Sequence, residues 1–353
     1  MLLGIPEKDW KIVDLADFMN LTTRKHPLRG IICVYIIRLL DPWDYTRYYC
    51  IQRLGGKDPY GILEIGHTND LAERIRSFIA SVLGINETNT EGQMLQYYRH
   101  KNEFVRNILS PKRMIPSLLT VSYIEVPADR AAAMELTALD HYCRLFAEYP
   151  PLNCQVPGKS GKFSGHHGHD FSQSEKVTLD ARLKAPVPRR LGGKWILSNP
   201  RSPTKGLACV YCVHLLQRDD PSRYCINHRI GGDDPEGIMY IGMTEDLQRR
   251  RWEFRASVTG KGPHTSGELL HHINDISPWW QKFHGPREEL VDSLLFTYIP
   301  TRKEQLLVRE AEAIDDYIIL YGEKPPANGQ VPGRKWFFKR NRRRKLRRDA
   351  IAN

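Results

Sequence analysis

The sequence predicts an α+β fold made of two tandem copies of one unit, each a small, mostly antiparallel sheet flanked by helices. Three observations carry this expectation. The first is an internal repeat. "GILEIGHTNDLAERIRSF" (Gly61 to Phe78) returns as "GIMYIGMTEDLQRRRWEF" (Gly237 to Phe254). Tyr35 and Tyr211, Gly66 and Gly242, and Arg74 and Arg250 each stand 176 residues apart. Further on the spacing becomes 175, for Glu135 with Glu310, Asn153 with Asn328, and the two "QVPG" tetrapeptides. The second is patterning. In each copy, β-rich runs and amphipathic stretches follow the order strand, strand, helix, helix, strand, helix. The third is bulk. A chain of 353 residues is too long for one compact core, and 41% hydrophobic with 26% charged residues is the composition of a soluble globular protein.

These observations divide the chain into five parts: a helical extension over 1–30, a first copy over 31–158, a linker over 159–206, a second copy over 207–333, and a basic tail over 334–353. The extension reads as an amphipathic helix with Trp10, Ile12, Val13 and Phe18 on its apolar side. It lacks the apolar block of a signal peptide, and no apolar run approaches the length of a membrane span, so the cytoplasm is the expected compartment. The linker is rich in Gly, Ser and His, then in Pro and Arg. Its His166, His167 and His169 read as solvated side chains.

In the second copy, "CVYCVHLL" and "GIMYI" are strands, separated by an Asp/Pro/Gly-rich excursion with a further strand at "RYCI". "TEDLQRRRWEFRASV" is a helix capped by Thr244, with Glu245 and Asp246 at its positive end. Leu247, Phe254 and Val258 form its apolar stripe, as Leu71, Ile75, Phe78 and Val82 do in the first copy. "SLLFTYIP" is a strand. "RKEQLLVREAEAIDDYIILYG" is a long helix ending at Gly322, with Leu306, Ile314, Tyr317 and Tyr321 inward.

Three polar residue types interrupt these apolar faces. Glu310, like Glu135, falls on the inward stripe of its helix, where a carboxylate is costly unless it pairs or binds a cation. Arg250, like Arg74, projects from the inward stripe, while Arg249 and Arg251 point elsewhere. Its planar fork suits a carboxylate or a phosphate. A salt bridge between Arg250 and Glu310 is the plain structural alternative. Tyr211 stands mid-strand, and Tyr240 lies on the neighbouring strand just before Gly242. The seven cysteines include Cys209-x-x-Cys212 and Cys225-x-x-His228, a zinc-like spacing. The first copy carries Cys33, Ile36, Cys50 and Arg53 at the positions read as equivalent, so buried free thiols are the better reading.

Taken together, Tyr211, "YIG" at Tyr240 to Gly242, Arg250, Glu310 and Asn328 resemble the GIY-YIG nuclease family. The first copy resembles it less closely: it keeps Tyr35, Arg74, Glu135 and Asn153 but has Glu64 in place of the second tyrosine. Cysteine replaces the first glycine of the GIY element in both copies, and the two tyrosines are further apart than in the family. The resemblance implies a metal-dependent endonuclease that hydrolyses DNA phosphodiesters. In that reading Glu310 binds Mg²⁺ or Mn²⁺, a tyrosine activates water, and Arg250 neutralises developing charge. A free phenol, with a pKa near 10, needs nearby cations to act as a base at neutral pH. The first copy is expected to be degenerate, serving as an internal pseudo-dimer partner or for DNA docking. The alternative is a non-catalytic nucleic-acid-binding protein built on decayed nuclease folds. Homodimerisation and a preference for branched DNA stay open.

A net charge of +11 points to a polyanionic partner. Lys339, Arg340, Arg342, Arg343, Arg344, Lys345, Arg347 and Arg348 concentrate it in the tail, a nucleic-acid-binding segment that releases counterions when it meets phosphates.

Overall fold

The structure, a computed structural model, describes residues 3, 6–15, 26–85, 89–110, 112–153, 193–196 and 205–328. The basic tail, the linker histidines and both "QVPG" segments lie outside them. In the first half the elements are β1 (Lys11–Asp14), β2 (Cys33–Asp41), β3 (Asp44–Tyr48), β4 (Ile51–Arg53), β5 (Gly56–Asp58), β6 (Ile62–Thr68), α1 (Leu71–Val82), α2 (Thr90–Lys101), α3 (Glu103–Ile108), β7 (Leu119–Glu125) and α4 (Ala131–Phe146). The second half runs β8 (Gly193–Ile196), β9 (Cys209–Leu215), β10 (Asn227–Arg229), β11 (Gly232–Asp234), β12 (Ile238–Thr244), α5 (Leu247–Val258), α6 (Thr265–Ile276), α7 (Pro278–His284), α8 (Arg287–Leu290), β13 (Leu294–Pro300) and α9 (Leu306–Tyr321). Helices and antiparallel sheets are mixed, as an α+β fold requires. No helix among the described residues is long and apolar enough to cross a membrane.

Each half centres on one antiparallel sheet. β6, β2, β7 and β1 lie side by side in the first, and β12, β9, β13 and β8 in the second. Registers agree: Tyr35 faces Gly66 and Tyr123, and Tyr211 faces Gly242 and Tyr298. Each YIG-like strand carries one irregularity, between Ile62 and Glu64 in β6 and between Ile238 and Tyr240 in β12. A bulge of this kind re-aims the side chain that follows it, and here that residue is Glu64 or Tyr240.

Two expectations fail at the sheet edges. Residues 11–14 form a strand, not part of an amphipathic helix, and Ile12 is 58% exposed. Residues 193–196, assigned to the linker, are also a strand. Both strands satisfy the free backbone groups along an exposed edge, β1 on β7 and β8 on β13, at matching registers opposite Tyr123 and Tyr298. The repeating unit therefore begins earlier than periodicity reveals. "RYCI" makes only an isolated bridge, at Tyr224, whereas its counterpart β3 is a full strand. Asp246 caps α5 in place of Thr244, whose hydroxyl instead accepts from the Asp246 amide.

The halves do not have separate cores. One apolar cluster joins Val34, Ile36, Tyr142 and Phe146 to Tyr211, Val213, Phe254 and Trp280. The other joins Tyr35, Ile37, Phe78 and Tyr98 to Val210, Ile241, Ile314 and Tyr317. Accordingly α4 packs against α6 and α7, and α9 packs against α2. Polar contacts repeat across the seam: Tyr97 meets Asp315, and His272 lies 2.9 Å from Asp140.

At the centre of the seam stand Arg53, Arg229, Glu148 and Glu323, each 2% exposed or less. Arg53 reaches Glu148 at 2.8 Å and Glu323 at 2.9 Å, while Arg229 reaches Glu148 at 2.5 Å and Glu323 at 2.7 Å. The glutamates also accept the Leu54 and Ile230 amides, both at 3.0 Å. Removing one member strands a buried charge, so Arg229→Met should lower the unfolding free energy by about 3–5 kcal/mol. Breaking the partly exposed Arg309–Glu312 pair should cost under about 1 kcal/mol. Equal losses in urea titrations of the two variants would refute this ranking.

Candidate active site

In the second half, β9, β12, α5, α6 and α9 bring five side chains together. Tyr211, fully buried on β9, stacks on Phe296 with ring centroids 5.3 Å apart. Its ring lies 5.9 Å from that of the half-buried Tyr240. Gly242 makes their approach possible. A Cβ there would stand 2.9 Å from Tyr211 Oη and 2.8 Å from Tyr240 Oη, closer than side chains tolerate. The sequence thus places glycine where two phenol oxygens converge.

Arg250 projects from α5 with 29% of its side chain exposed. One terminal nitrogen is 3.2 Å from Glu253, and its buried Nε has no hydrogen-bond partner among the described residues. Glu310 makes no ion pair with Arg250, which removes the plain structural alternative for this carboxylate. Burial pushes its pKa up to about 7, against the Met243 amide and the Arg250 charge, which pull it down. Tyr240 is pushed up to about 12, first by burial and then by Glu310, with Arg250 opposing. Tyr211 is held well above the usual phenol range, again chiefly by burial.

Asn328 has a different place. Its Oδ1 accepts from the Ile241 amide at 2.9 Å and its Nδ2 donates to the Ile241 carbonyl at 2.8 Å. Both ends of the amide hold β12 beside Tyr240, so Asn328 positions the site rather than facing a reactant. Asn153 holds Ile65 in the same way.

The first half assembles the equivalent groups and closes them on one another. Tyr35 donates to Glu64 at 2.6 Å. Arg74 reaches Tyr35 at 2.5 Å, Glu64 at 2.8 Å and Glu91 at 3.0 Å. His67 contacts Glu135. Glu64, 1% exposed, thus takes two donors that an external anion would need.

Sequence reasoning missed His264 and Ser266. Both stand at the start of α6, His264 as its N-cap, with Nε2 3.4 Å from Tyr211 Oη. Their repeat counterparts are Asn89, also an N-cap, and Glu91. The repeat marks His264 as a cap, but only the fold shows that it faces Tyr211. Arg251 was expected to point away from the core and is instead 7% exposed, its pKa lowered by burial and by Arg255.

The zinc-like spacing holds no zinc-like geometry. Burial pushes Cys209, Cys212 and Cys225 up to about 12, so they remain thiols. His228 is 2.8 Å from Asp233. No group of three His, Cys, Asp or Glu side chains among the described residues is placed to hold a metal. Pairing of β4 and β10 also corrects the alignment: Tyr49 and Gln52, rather than Cys50 and Arg53, are the counterparts of Cys225 and His228, and Arg53 matches Arg229. A single carboxylate such as Glu310 does fit Mg²⁺, which takes one or two protein ligands and fills its octahedron with water and substrate oxygens.

A scan of protein-family models finds no match for this chain, and neither do searches of curated proteins and of solved structures. Its functional reading rests on the residues themselves.

Acid sensitivity follows from two buried imidazoles. Burial first, and then a nearby arginine, lowers His264 to about 3 and His284 to about 4. An unfolded histidine titrates near pH 6.5, so protons bind the unfolded chain first. The stabilisation is complete above about pH 6.5 and is lost as pH falls toward the folded values. By pH 5 each histidine should cost about 2 kcal/mol. Chemical denaturation at pH 7 and pH 5 checks the sum, and His264→Asn should remove about half of the difference. A stability that stays flat to pH 5 would contradict the burial of both rings.

Proposed function

We propose that the chain is a metal-dependent DNA endonuclease made of two GIY-YIG-like halves, with the competent pocket in the second half. The observation that carries this reading is the contrast between Arg250 and Arg74. Arg74 spends its donors on Tyr35, Glu64 and Glu91. Arg250 keeps a buried, unclaimed Nε beside two phenols and a carboxylate that makes no ion pair with it. Such a pocket attracts a phosphate and a divalent cation together.

Each residue then has a role. Arg250 would bind a non-bridging phosphate oxygen and offset charge as it grows. Glu310 would hold Mg²⁺, which when bound polarises the phosphate and steadies the leaving oxygen. The tyrosine pair would orient and deprotonate the attacking water. Gly242 and Asn328 hold the two phenols in register. A purely nucleic-acid-binding protein has no use for a carboxylate buried beside the phosphate site, since its charge opposes DNA. In the first half Glu64 and Glu91 occupy Arg74, and with Glu135 they oppose phosphate docking in that pocket. The net charge and the basic tail support DNA as the partner.

Arg250→Ala should slow Mg²⁺-dependent nicking of supercoiled plasmid by on the order of 10²–10³. Glu310→Gln should abolish it while the protein still folds and binds DNA. Arg74→Ala should leave most of the activity. With one competent pocket, nicked circles should precede linear DNA. Equal losses from the two arginine variants would mean that both halves cut, and normal cleavage by Glu310→Gln would remove the proposed metal ligand.

Deleting residues after Phe338 should weaken DNA binding and reduce the slope of log affinity against log salt, because each lost phosphate contact lowers that slope by about one. An unchanged slope would place the electrostatic contact elsewhere.

A further inference from the structure

The N-cap of α6 has two jobs in the second half and one in the first. Asn89 accepts the Gly92 amide at 2.7 Å and goes no further, its Nδ2 buried without a partner among the described residues. His264, at the same repeat position, accepts the Gly267 amide through Nδ1 at 3.4 Å and extends Nε2 to within 3.4 Å of Tyr211 Oη. A backbone N–H is always a donor, so the Nδ1 that receives it carries no proton. A neutral imidazole must then carry its proton on Nε2, which makes His264 a donor to Tyr211. Burial and the Arg250 charge keep the ring neutral at any pH where a nuclease would work.

The direction propagates. With one lone pair of Tyr211 Oη taken by His264, the Tyr211 proton is left to turn toward Tyr240 Oη, the phenol oxygen that converges with it over Gly242. Gly242 keeps the two phenol oxygens close. Donors therefore run one way, from the Gly267 amide through His264 and Tyr211 to Tyr240, where Arg250 adds its charge. His264 donates to Tyr211 and Arg250 acts on it, but Tyr211 is 1% exposed, so a base there would have no water to meet. The donors converge on Tyr240, which is half-buried and borders the pocket; Arg250 favours an anion there while burial and Glu310 oppose it.

We infer that His264 fixes the direction of this hydrogen-bond chain, so that Tyr240 is the general base and Tyr211 its donor. The inference rests on the endonuclease reading above and deepens it. As phenolate, Tyr240 takes one proton from a water molecule. The resulting hydroxide forms a P–O bond, the P–O bond to the leaving sugar oxygen breaks, and that oxygen takes a proton from solvent water. His264 touches none of these atoms. It is a positioning residue, acting through Tyr211.

The first half shows the same device dismantled. Tyr35 donates to Glu64, Arg74 donates to Tyr35, and Asn89 stays out of reach. Where the chain would end on a phenol, it ends on a carboxylate.

Single-turnover nicking of plasmid by the full chain tests the order. Tyr240→Phe should lose on the order of 10²–10⁴ in rate, the usual contribution of a general base. Tyr211→Phe should lose about 3- to 10-fold, the worth of one neutral hydrogen bond, and its rate should rise with pH at a higher pH than wild type. His264→Asn keeps a cap like that of Asn89. It should match Tyr211→Phe in size and in the direction of the pH shift, and the double variant should be no slower than Tyr211→Phe alone. A larger loss from Tyr211→Phe than from Tyr240→Phe overturns the assignment, as does a double variant whose losses multiply. The tautomer is read without any cleavage, from side-chain ¹⁵N spectra of the full chain between about pH 5 and 8. A proton on Nε2 throughout supports the chain, and a proton on Nδ1 or an imidazolium at pH 6 overturns it. Failure of wild type to nick would remove the endonuclease reading, while the spectra would still decide the direction of the chain.

Discussion

Arg53 and Arg229 approach each other across the seam, and their charges would drive the halves apart if Glu148 and Glu323 were not interleaved between them. Taking four charges out of water is expensive, and their mutual attraction offsets that cost only when geometry is good and remaining lone pairs are used. Here the glutamates also accept backbone amides of the β4 and β10 hairpins. The arrangement works only with both halves docked. Its effect then travels along a short piece of chain. Glu323 is followed by Lys324, two prolines and Ala327, and then by Asn328, which grips Ile241 beside Tyr240. Glu148 leads to Asn153 and Ile65 through an equally stiff, proline-bearing segment. The seam thus sets the position of the strand that carries the second tyrosine, and the site inherits its geometry from the interface.

On this shared frame the halves have reached opposite electrostatic outcomes. Four positions differ around the central arginine: Tyr240 against Glu64, Ser266 against Glu91, Met243 against His67, and His264 against Asn89. In the first half Glu64 and Glu91 engage Arg74 and His67 engages Glu135, which leaves no net attraction for an anion. The second half leaves Arg250 Nε unclaimed and Glu310 facing it without an ion pair. Neither outcome disturbs the sheet, because these side chains project from strands and helix ends whose backbones are already satisfied.

Much of this was legible in the sequence where the signal is local. The paired tyrosines, the inward Arg250 and Glu310, and the main sheet strands and helices that carry them follow from periodicity plus the repeat, whereas the short β4–β5 and β10–β11 hairpins do not. The edge strands were not, because four residues such as "KIVD" and "GKWI" carry too little pattern to distinguish a strand from a helix or linker; pairing with β7 or β13 decides it. The role of His264 was hidden because a capping residue announces itself only to its own helix. Its reach to Tyr211 depends on how α6 lies on the sheet. The merged cores were equally out of sight. The stripes on α4 and α9 name buried residues but not which half buries them.

That merging has a consequence for symmetry. In a dimer of identical chains, one codon writes both halves of the seam, and any change at the second tyrosine appears in both pockets at once. Joining the halves in a single polypeptide makes Glu64 and Tyr240 separate decisions, so one pocket can be given over to holding the frame while the other keeps its open arginine. Dilution cannot part them, because α4 and α9 each complete the packing of the opposite half within the same molecule. What a homodimer would achieve by association, and lose at low concentration, is here fixed at one to one.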